Sequence, residues 1–323
     1  MKVLFMRILA ALCLLVFGGA ALRAAPDLQR FEYKQYHMGN DVRIVVYAPD
    51  QDLAERACRA AFDRFAELDD ILSDYRANSE LMRLCAHAGG PPVRVSRDLY
   101  VVLERSQQVA RQSDGAFDVT CSPVVRLWRT ARKTHLLPTR DAIRAAVKLV
   151  GWRNLRLDPR TQTAQLMKPG MQLDVGGIGK GYADDCAQQV LRKFGITRAL
   201  VEAGGDIVVT DAPPGRDGWS IEVPNAGKPG EPPVMTFANC AVSTSGDTEQ
   251  FVDIGGKRYS HIVEPHTGMA LTDRIEVTII ARDGLTSDGL STAVSVLGPE
   301  KGQALARQYP GTKAYIRRMK DEG

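Results

Sequence analysis

Leu173-Asp174-Val175-Gly176-Gly177-Ile178-Gly179-Lys180-Gly181-Tyr182 is the stretch on which the architecture turns. Gln172–Val175 reads as a strand, the glycines as a tight turn, and the residues after them as the start of a helix. On that helix Tyr182, Cys186, Val190 and Phe194 recur every four residues, a single apolar stripe that Gly195 closes. Downstream, strands are expected at Ala199–Glu202, Asp206–Val209 and Trp219–Val223, then a Pro/Gly-rich surface loop from Pro224 to Pro233. Gln250–Ile254 and Lys257–Val263 flank Gly255-Gly256, a two-residue hairpin turn, and a strand at Ile275–Ala281 precedes a helix from Ser287 to Leu297.

Upstream, Arg43–Tyr47 reads as a strand. From Asp52 to Leu72 the apolar row Ala54, Ala57, Cys58, Ala61, Phe62, Phe65, Leu68 and Leu72 predicts a long amphipathic helix. A second helix runs from Ser96, read as its N-cap, to Gly115, and a third from Thr139 to Val150, closed by Gly151. Short strands at Leu155–Leu157 and Ala164–Met167 lead back to the glycine stretch. Helices and strands interleave without a strict βαβ rhythm, so the expected class is α+β rather than a doubly wound sheet. With no linker or repeat, residues 26–323 read as one unit.

The ends and the bulk numbers narrow the setting. Lys2 and Arg7, the apolar run Ile8 to Phe17 and the small residues up to Ala25 have the layout of a cleaved secretory signal peptide over residues 1–25. That run is well short of the ~20 residues a membrane span needs. Cys13 lies inside it behind Leu12, which argues against a lipid anchor, and the expected location is periplasmic or otherwise exported. Removing Lys2, Arg7 and Arg23 lowers the formal charge from +4 to +1. With no Lys/Arg cluster, nucleic-acid binding is disfavoured. Cys58, Cys85, Cys121, Cys186 and Cys240 then remain, an odd set without zinc spacing, read as free thiols with one disulfide left open.

Several small constellations could carry chemistry. The Gly176–Gly181 turn either joins strand to helix tightly or offers backbone N–H groups to a phosphate. It is not a P-loop, because Gly181 follows Lys180 where a Ser or Thr would hold a metal ion. Glu202-Ala203-Gly204-Gly205-Asp206 and Ser243-Thr244-Ser245-Gly246-Asp247 are further small-residue loops, each readable as an ordinary turn. Asp288 and Thr292 share a helix face and are hard oxygen donors, though an Asp near a helix start also serves as a cap. His261 is either a packed histidine or a general base. His37, His87 and His135 read as surface residues and His266 as a turn residue.

Taken together, the blocks resemble the ApbE family, the FAD:protein FMN transferases. Met38-Gly39, Leu72-Ser73-Asp74-Tyr75-Arg76 with Ser79-Glu80, and Gly115-Ala116-Phe117-Asp118-Val119 with Pro123, Leu127 and Trp128 match its N-terminal blocks. Leu173 to Asp185 is similar to L-D-x-G-x-I-A-K-G-Y-A-x-D, and Gly204-Gly205-Asp206-Ile207 to G-G-D-I. Thr244-Ser245-Gly246-Asp247, Tyr259-Ser260-His261-Ile262 through Gly268, and Ser287-Asp288 through Lys301 complete the set, which spans roughly residues 36 to 302. Gly179 replaces the usual Ala, Glu264 the usual Asp, and Thr248 a frequent aromatic.

The resemblance implies a T-fold-like α+β core with a flavin cleft between two lobes. It implies FAD as substrate, its pyrophosphate near Gly176, Gly177 and Lys180, with Met38, Asp174, Gly204, Gly205, Thr244, Ser245 and Gly246 around it and Tyr75 stacked on the flavin. Mg2+ would be held by Asp288, Thr292 and the Gly177 carbonyl. His261 would deprotonate a Thr or Ser of an acceptor flavoprotein, itself exported or membrane-bound, leaving FMN in phosphoester linkage and releasing AMP. An FAD pyrophosphatase giving FMN and AMP would use the same residues, whereas a non-catalytic flavin-binding carrier would predict a damaged metal site, and Asp288, Thr292 and His261 are all present.

Overall fold

A computed structural model of the chain describes residues 27–224, 233–246 and 250–319. The signal-peptide reading, most of the Pro224–Pro233 loop, and Asp247 and Thr248 lie outside these residues.

Seven strands form one sheet: β1 (Gln29–His37), β2 (Asn40–Ala48), β3 (Ala199–Ala203), β4 (Asp206–Val209), β5 (Cys240–Ser245), β6 (Ile275–Ala281) and β7 (Lys313–Arg318). They lie side by side in chain order, and every pairing is antiparallel. The α+β expectation therefore holds. Side chains alternate between the two faces of each strand. Val42, Ile44, Val46, Val201, Val277 and Ile279 face the main core, whereas Val45, Leu200, Val242 and Ile280 join Trp219 and Ile221 in a smaller cluster on the other side.

The main core is covered by helices. In chain order these are α1 (Gln51–Leu72), α2 (Glu80–Ala86), α3 (Arg97–Gln112), α4 (Ser122–Thr134), α5 (Arg140–Val147), α6 (Gly179–Lys193) and α7 (Gly284–Ala306). The apolar row read for α1 is its buried row, and Asp50 caps it by accepting from Leu53 N. Helix α7 begins one turn before the expected Ser287 and breaks at Gly298, where φ is +74° and Pro299 follows. A second cluster gathers α4, α5 and the 251–270 hairpins around Trp128, which stacks on Tyr259 at 5.0 Å and donates to the Gly268 carbonyl.

Three expectations are corrected. Gln172–Val175 is extended but joins no sheet: Leu173 N donates to Cys85 Sγ of α2 and Asp174 N to the Val119 carbonyl, so its backbone bonds go to a helix side chain and a 3-10 turn. The strand expected over Lys257–Val263 ends at Ser260, because His261 N turns back to the Gln250 carbonyl. His37 is not a plain surface residue; its ring stacks on Phe62 at 5.7 Å and Phe65 at 6.0 Å. All five cysteines among the described residues are free.

Helices α6 and α7 cross where neither has a side chain. A Cβ on Gly181 would stand 2.1 Å from the Gly284 oxygen, and one on Gly284 would stand 2.3 Å from the Gly181 oxygen. The contact also brings Asp185 of α6 to the start of α7, where its two oxygens accept from Gly284 N at 2.8 Å and Leu285 N at 2.9 Å. Two of the unpaired N–H groups of a helix start are thereby satisfied. Gly181→Ala should cost about 3 kcal/mol or more in chemical denaturation, since backbone cannot yield as a rotamer can. Gly195→Ala meets open space and carries only the cost of its φ of +79°, about 1–2 kcal/mol. Equal midpoints for the two variants would refute the crossing as described.

Candidate active site

The three small-residue loops read from the sequence converge, and one lysine explains how. Strands β4 and β5 pair with Ser243 opposite Asp206, so the Gly204-Gly205 turn and the Thr244–Gly246 segment share one end of the sheet. Thr244 N donates to the Gly205 carbonyl, and Thr244 Oγ1 lies 2.9 Å from Thr278 Oγ1. Gly204 (φ +55°) abuts Asn40, whose amide donates to the Met38 carbonyl; the Met38 methyl lies near Gly179. Lys180, in the first turn of α6, reaches into this end: its Nζ is 2.6 Å from Asp206 Oδ2 and 3.9 Å from Asp288 Oδ1.

Asp288 lies on the buried face of α7. Its Oδ2 accepts from Gly181 N at 3.0 Å, a bond the glycine crossing makes possible. One turn later Thr292 meets the glycine loop so closely that a Cβ on Gly177 would lie 2.8 Å from Thr292 Oγ1. Ser287 Oγ, beside Asp288, is 2.7 Å from Ser243 Oγ and ties the helix to β5. Asp174, just before the loop, accepts from Gly176 N at 2.8 Å.

The charges here do not balance. Burial, then repulsion from Asp206, raises the Asp288 carboxyl above the usual range, while Lys180 and the Gly181 N–H pull it back. Asp184 is wholly buried with neither oxygen hydrogen-bonded, and its carboxyl is raised well above normal by burial and by Asp206 and Asp185. Lys180 is held cationic by Asp206 and Asp288 against the cost of its burial. Asp184, Asp206 and Asp288 share one ammonium, burial holds Asp184 and Asp288 towards their protonated forms, and a bound cation would favour ionising them. Among the described residues no three His, Cys, Asp or Glu side chains form a metal cage. The Asp288 carboxyl and the Thr292 hydroxyl, which lies against the Gly177 backbone, are instead oxygen donors of the hard type suited to Mg2+.

His261 comes from the second cluster. Its Nδ1 is 3.1 Å from the Gln250 carbonyl, which can only accept, so Nδ1 carries the proton and Nε2 the lone pair. Burial, aided by the positive charges of Arg132 and Lys180, lowers its pKa to about 4. Tyr75 is 76% exposed, and one face of its ring is covered by the Arg129 guanidinium at 4.3 Å. Arg129 also pairs with Asp74 and, at 2.7 Å, with Asp174. It therefore joins α4 both to the corner after α1 and to the glycine loop.

Contacts join Met38, Gly204, Gly205 and Thr244 at one end of the sheet and Asp174, Gly176, Gly177, Lys180, Asp288 and Thr292 around the glycine loop. Tyr75 reaches Asp174 through Arg129, and His261 contacts Gln250. Sequence reasoning missed Asp206, Asp184 and Arg129. For Asp206 the signal was there in its place directly after Gly204-Gly205. Arg129 lies in a helix the sequence reading did not foresee, and its partners are 45 and 55 residues away. The G-A-F-D block proves to be a bracket: Asp118 accepts from Thr120 N at 2.8 Å, Thr120 Oγ1 at 2.6 Å and Trp152 N at 2.8 Å.

The chain is 33% identical to an FAD:protein FMN transferase of Treponema pallidum, over 96% of this chain and 90% of that one. It is 32% identical to one from Klebsiella pneumoniae, with 87% of each chain covered. The solved structure of the flavin transferase ApbE from Vibrio cholerae superposes with a TM-score of 0.81 at 28% identity, covering 92% of this chain and 96% of that one. The match to the family itself runs over residues 38–316, almost the whole described length, and the chain belongs to the ApbE family.

Proposed function

We propose that the chain is a Mg2+-dependent FAD:protein FMN transferase, attaching FMN to a Thr or Ser of an exported or membrane redox protein and releasing AMP. One observation carries the reading: the Gly177 backbone lies against the Thr292 hydroxyl beside buried Asp288, in a chain whose relatives bear that name. Asp288, Thr292 and the Gly177 carbonyl would hold the metal ion. When bound, Mg2+ offsets pyrophosphate charge and makes AMP a better leaving group.

The chain's own residues supply the rest. The Gly176–Gly181 turn gives the dinucleotide phosphates a close backbone approach, with Lys180 beneath it held by Asp206. Tyr75 offers the open face of its ring to the flavin. The acceptor hydroxyl oxygen attacks the phosphorus of the FMN half, the bond from that phosphorus to the bridging oxygen breaks, and AMP departs with the electron pair. The hydroxyl proton passes to Nε2 of His261, whose ring the Gln250 carbonyl keeps in one orientation. The deciding assay incubates the protein with FAD, Mg2+ and an acceptor domain and weighs the acceptor by mass spectrometry. An FMN adduct supports transfer, whereas free FMN and AMP with no adduct point to hydrolysis.

Asp288→Asn keeps an acceptor for Gly181 N–H while removing the charge. It should abolish turnover, leave the circular dichroism unchanged, and erase any tightening of FAD binding by Mg2+. Normal turnover in this variant would put the metal elsewhere. His261→Ala should lower transfer by ~10²–10⁴-fold, the usual worth of general-base help, with FAD affinity nearly unchanged. Retained transfer would make His261 structural, and collapsed FAD affinity would make it a ligand contact.

The lowered pKa fixes a pH expectation. A histidine that releases its proton near 4, rather than at the ordinary 6.5, is already in its base form at pH 5 and above. Transfer should therefore rise with pH through a His261-dependent break near 4 and show no such break between pH 6 and 7. A limb near 6.5 that disappears in His261→Ala would contradict this.

A further inference from the structure

Arg126, Arg129 and Arg132 stand three residues apart on α4 and so form one ridge along the helix. The Arg129 guanidinium is fully engaged, with Asp74 and Asp174 on its edge and the Tyr75 ring on its face. Arg132, one turn further along, is half-buried and forms no ion pair among the described residues. One turn before it Arg129 touches Tyr75 and Asp174, so the ridge runs along the side of the site that those two flank, and the Arg132 charge acts on Tyr75, Asp174 and His261. Of the two cations acting on His261, Lys180 is tied to Asp206, and Arg132 is the one whose donors are uncommitted. A half-buried cation without a partner costs free energy that an incoming anion would return.

The neighbourhood narrows that anion. Among the described residues Asp74 and Asp174 already serve Arg129 and Asp206 serves Lys180, which leaves Arg132 free for an anion brought by a ligand. A guanidinium fork suits two oxygens of one tetrahedral phosphate. Arg132 lies one turn of α4 from Arg129, which holds Asp174, and Asp174 in turn holds the Gly176 turn. We propose that Arg132 is a substrate-binding residue that grips a phosphate of the FAD pyrophosphate from the α4 side of the site. This rests on the reading of the chain as acting on FAD. It adds a second, protein-borne charge to the pyrophosphate, supplied by a different element from the one that carries Asp288 and Thr292.

The test is equilibrium binding of FAD and of riboflavin, with and without Mg2+, to the full protein and to its Arg132→Ala and Arg132→Lys variants. Arg132→Ala should weaken FAD binding on the order of 10–100-fold, the range for a charged hydrogen bond, and leave riboflavin binding unchanged. Arg132→Lys should recover part of the loss, and the salt dependence of FAD binding should become shallower in the alanine variant. Unchanged FAD affinity overturns the proposal, and so does an equal fall for riboflavin, which would mark a structural role. A raised KM for the acceptor with normal FAD affinity would assign Arg132 to the acceptor protein and overturn it as well. An unsubstituted protein that neither binds FAD nor forms the adduct would remove the parent reading before any variant is compared.

Discussion

The site depends on a contact between two backbones. Gly181 and Gly284 let α6 and α7 cross at a distance no side chain would permit. From that crossing follow the bond from Gly181 N to Asp288, the position of Lys180 between Asp206 and Asp288, and the capping of α7 by Asp185. The sheet contributes through register: because Ser243 lies opposite Asp206, two loops far apart in sequence become neighbours. Packing thus sets the electrostatics, and the electrostatics define what the site attracts.

A second feature is the division of roles between the two clusters. The main core supplies buried carboxylates, a lysine and oxygen donors. The cluster around Trp128 supplies the histidine and the arginine ridge. Arg129 joins them, and with 20% of its side chain exposed its ion pairs are partly shielded from solvent, unlike the exposed i,i+4 pairs on α1. Such a tie fixes orientation more than it adds stability, because desolvation offsets much of the attraction.

How much was legible in the sequence follows from where each signal resides. Helix α1 was plain, since its eight apolar positions keep helical spacing, and so was the Gly255-Gly256 turn, whose φ values of +60° and +75° call for glycine. Asp288 and Thr292 could be paired by spacing alone, but only tertiary contact set Gly177 against them. The segment at Gln172–Val175 misled because burial without a sheet looks the same as burial within one; a thiol and a turn carbonyl took its N–H bonds. Helix α4 carries helical spacing only in Val124, Trp128 and Ala131, a shorter apolar row than the eight positions of α1. β1 is an edge strand with only Phe31 and Tyr33 turned to the core.

The bonds that close the site join distant parts of the chain. Asp185 meets Gly284 and Leu285 across 99 and 100 residues, and Gly181 meets Asp288 across 107. Contacts this far apart form only after the intervening chain has been brought back, and such topologies fold slowly. Two backbone N–H groups at the start of α7 lack their Asp185 acceptors until α6 has docked. The charged centre therefore exists only once the helix from the middle of the chain and the helix near its end have met.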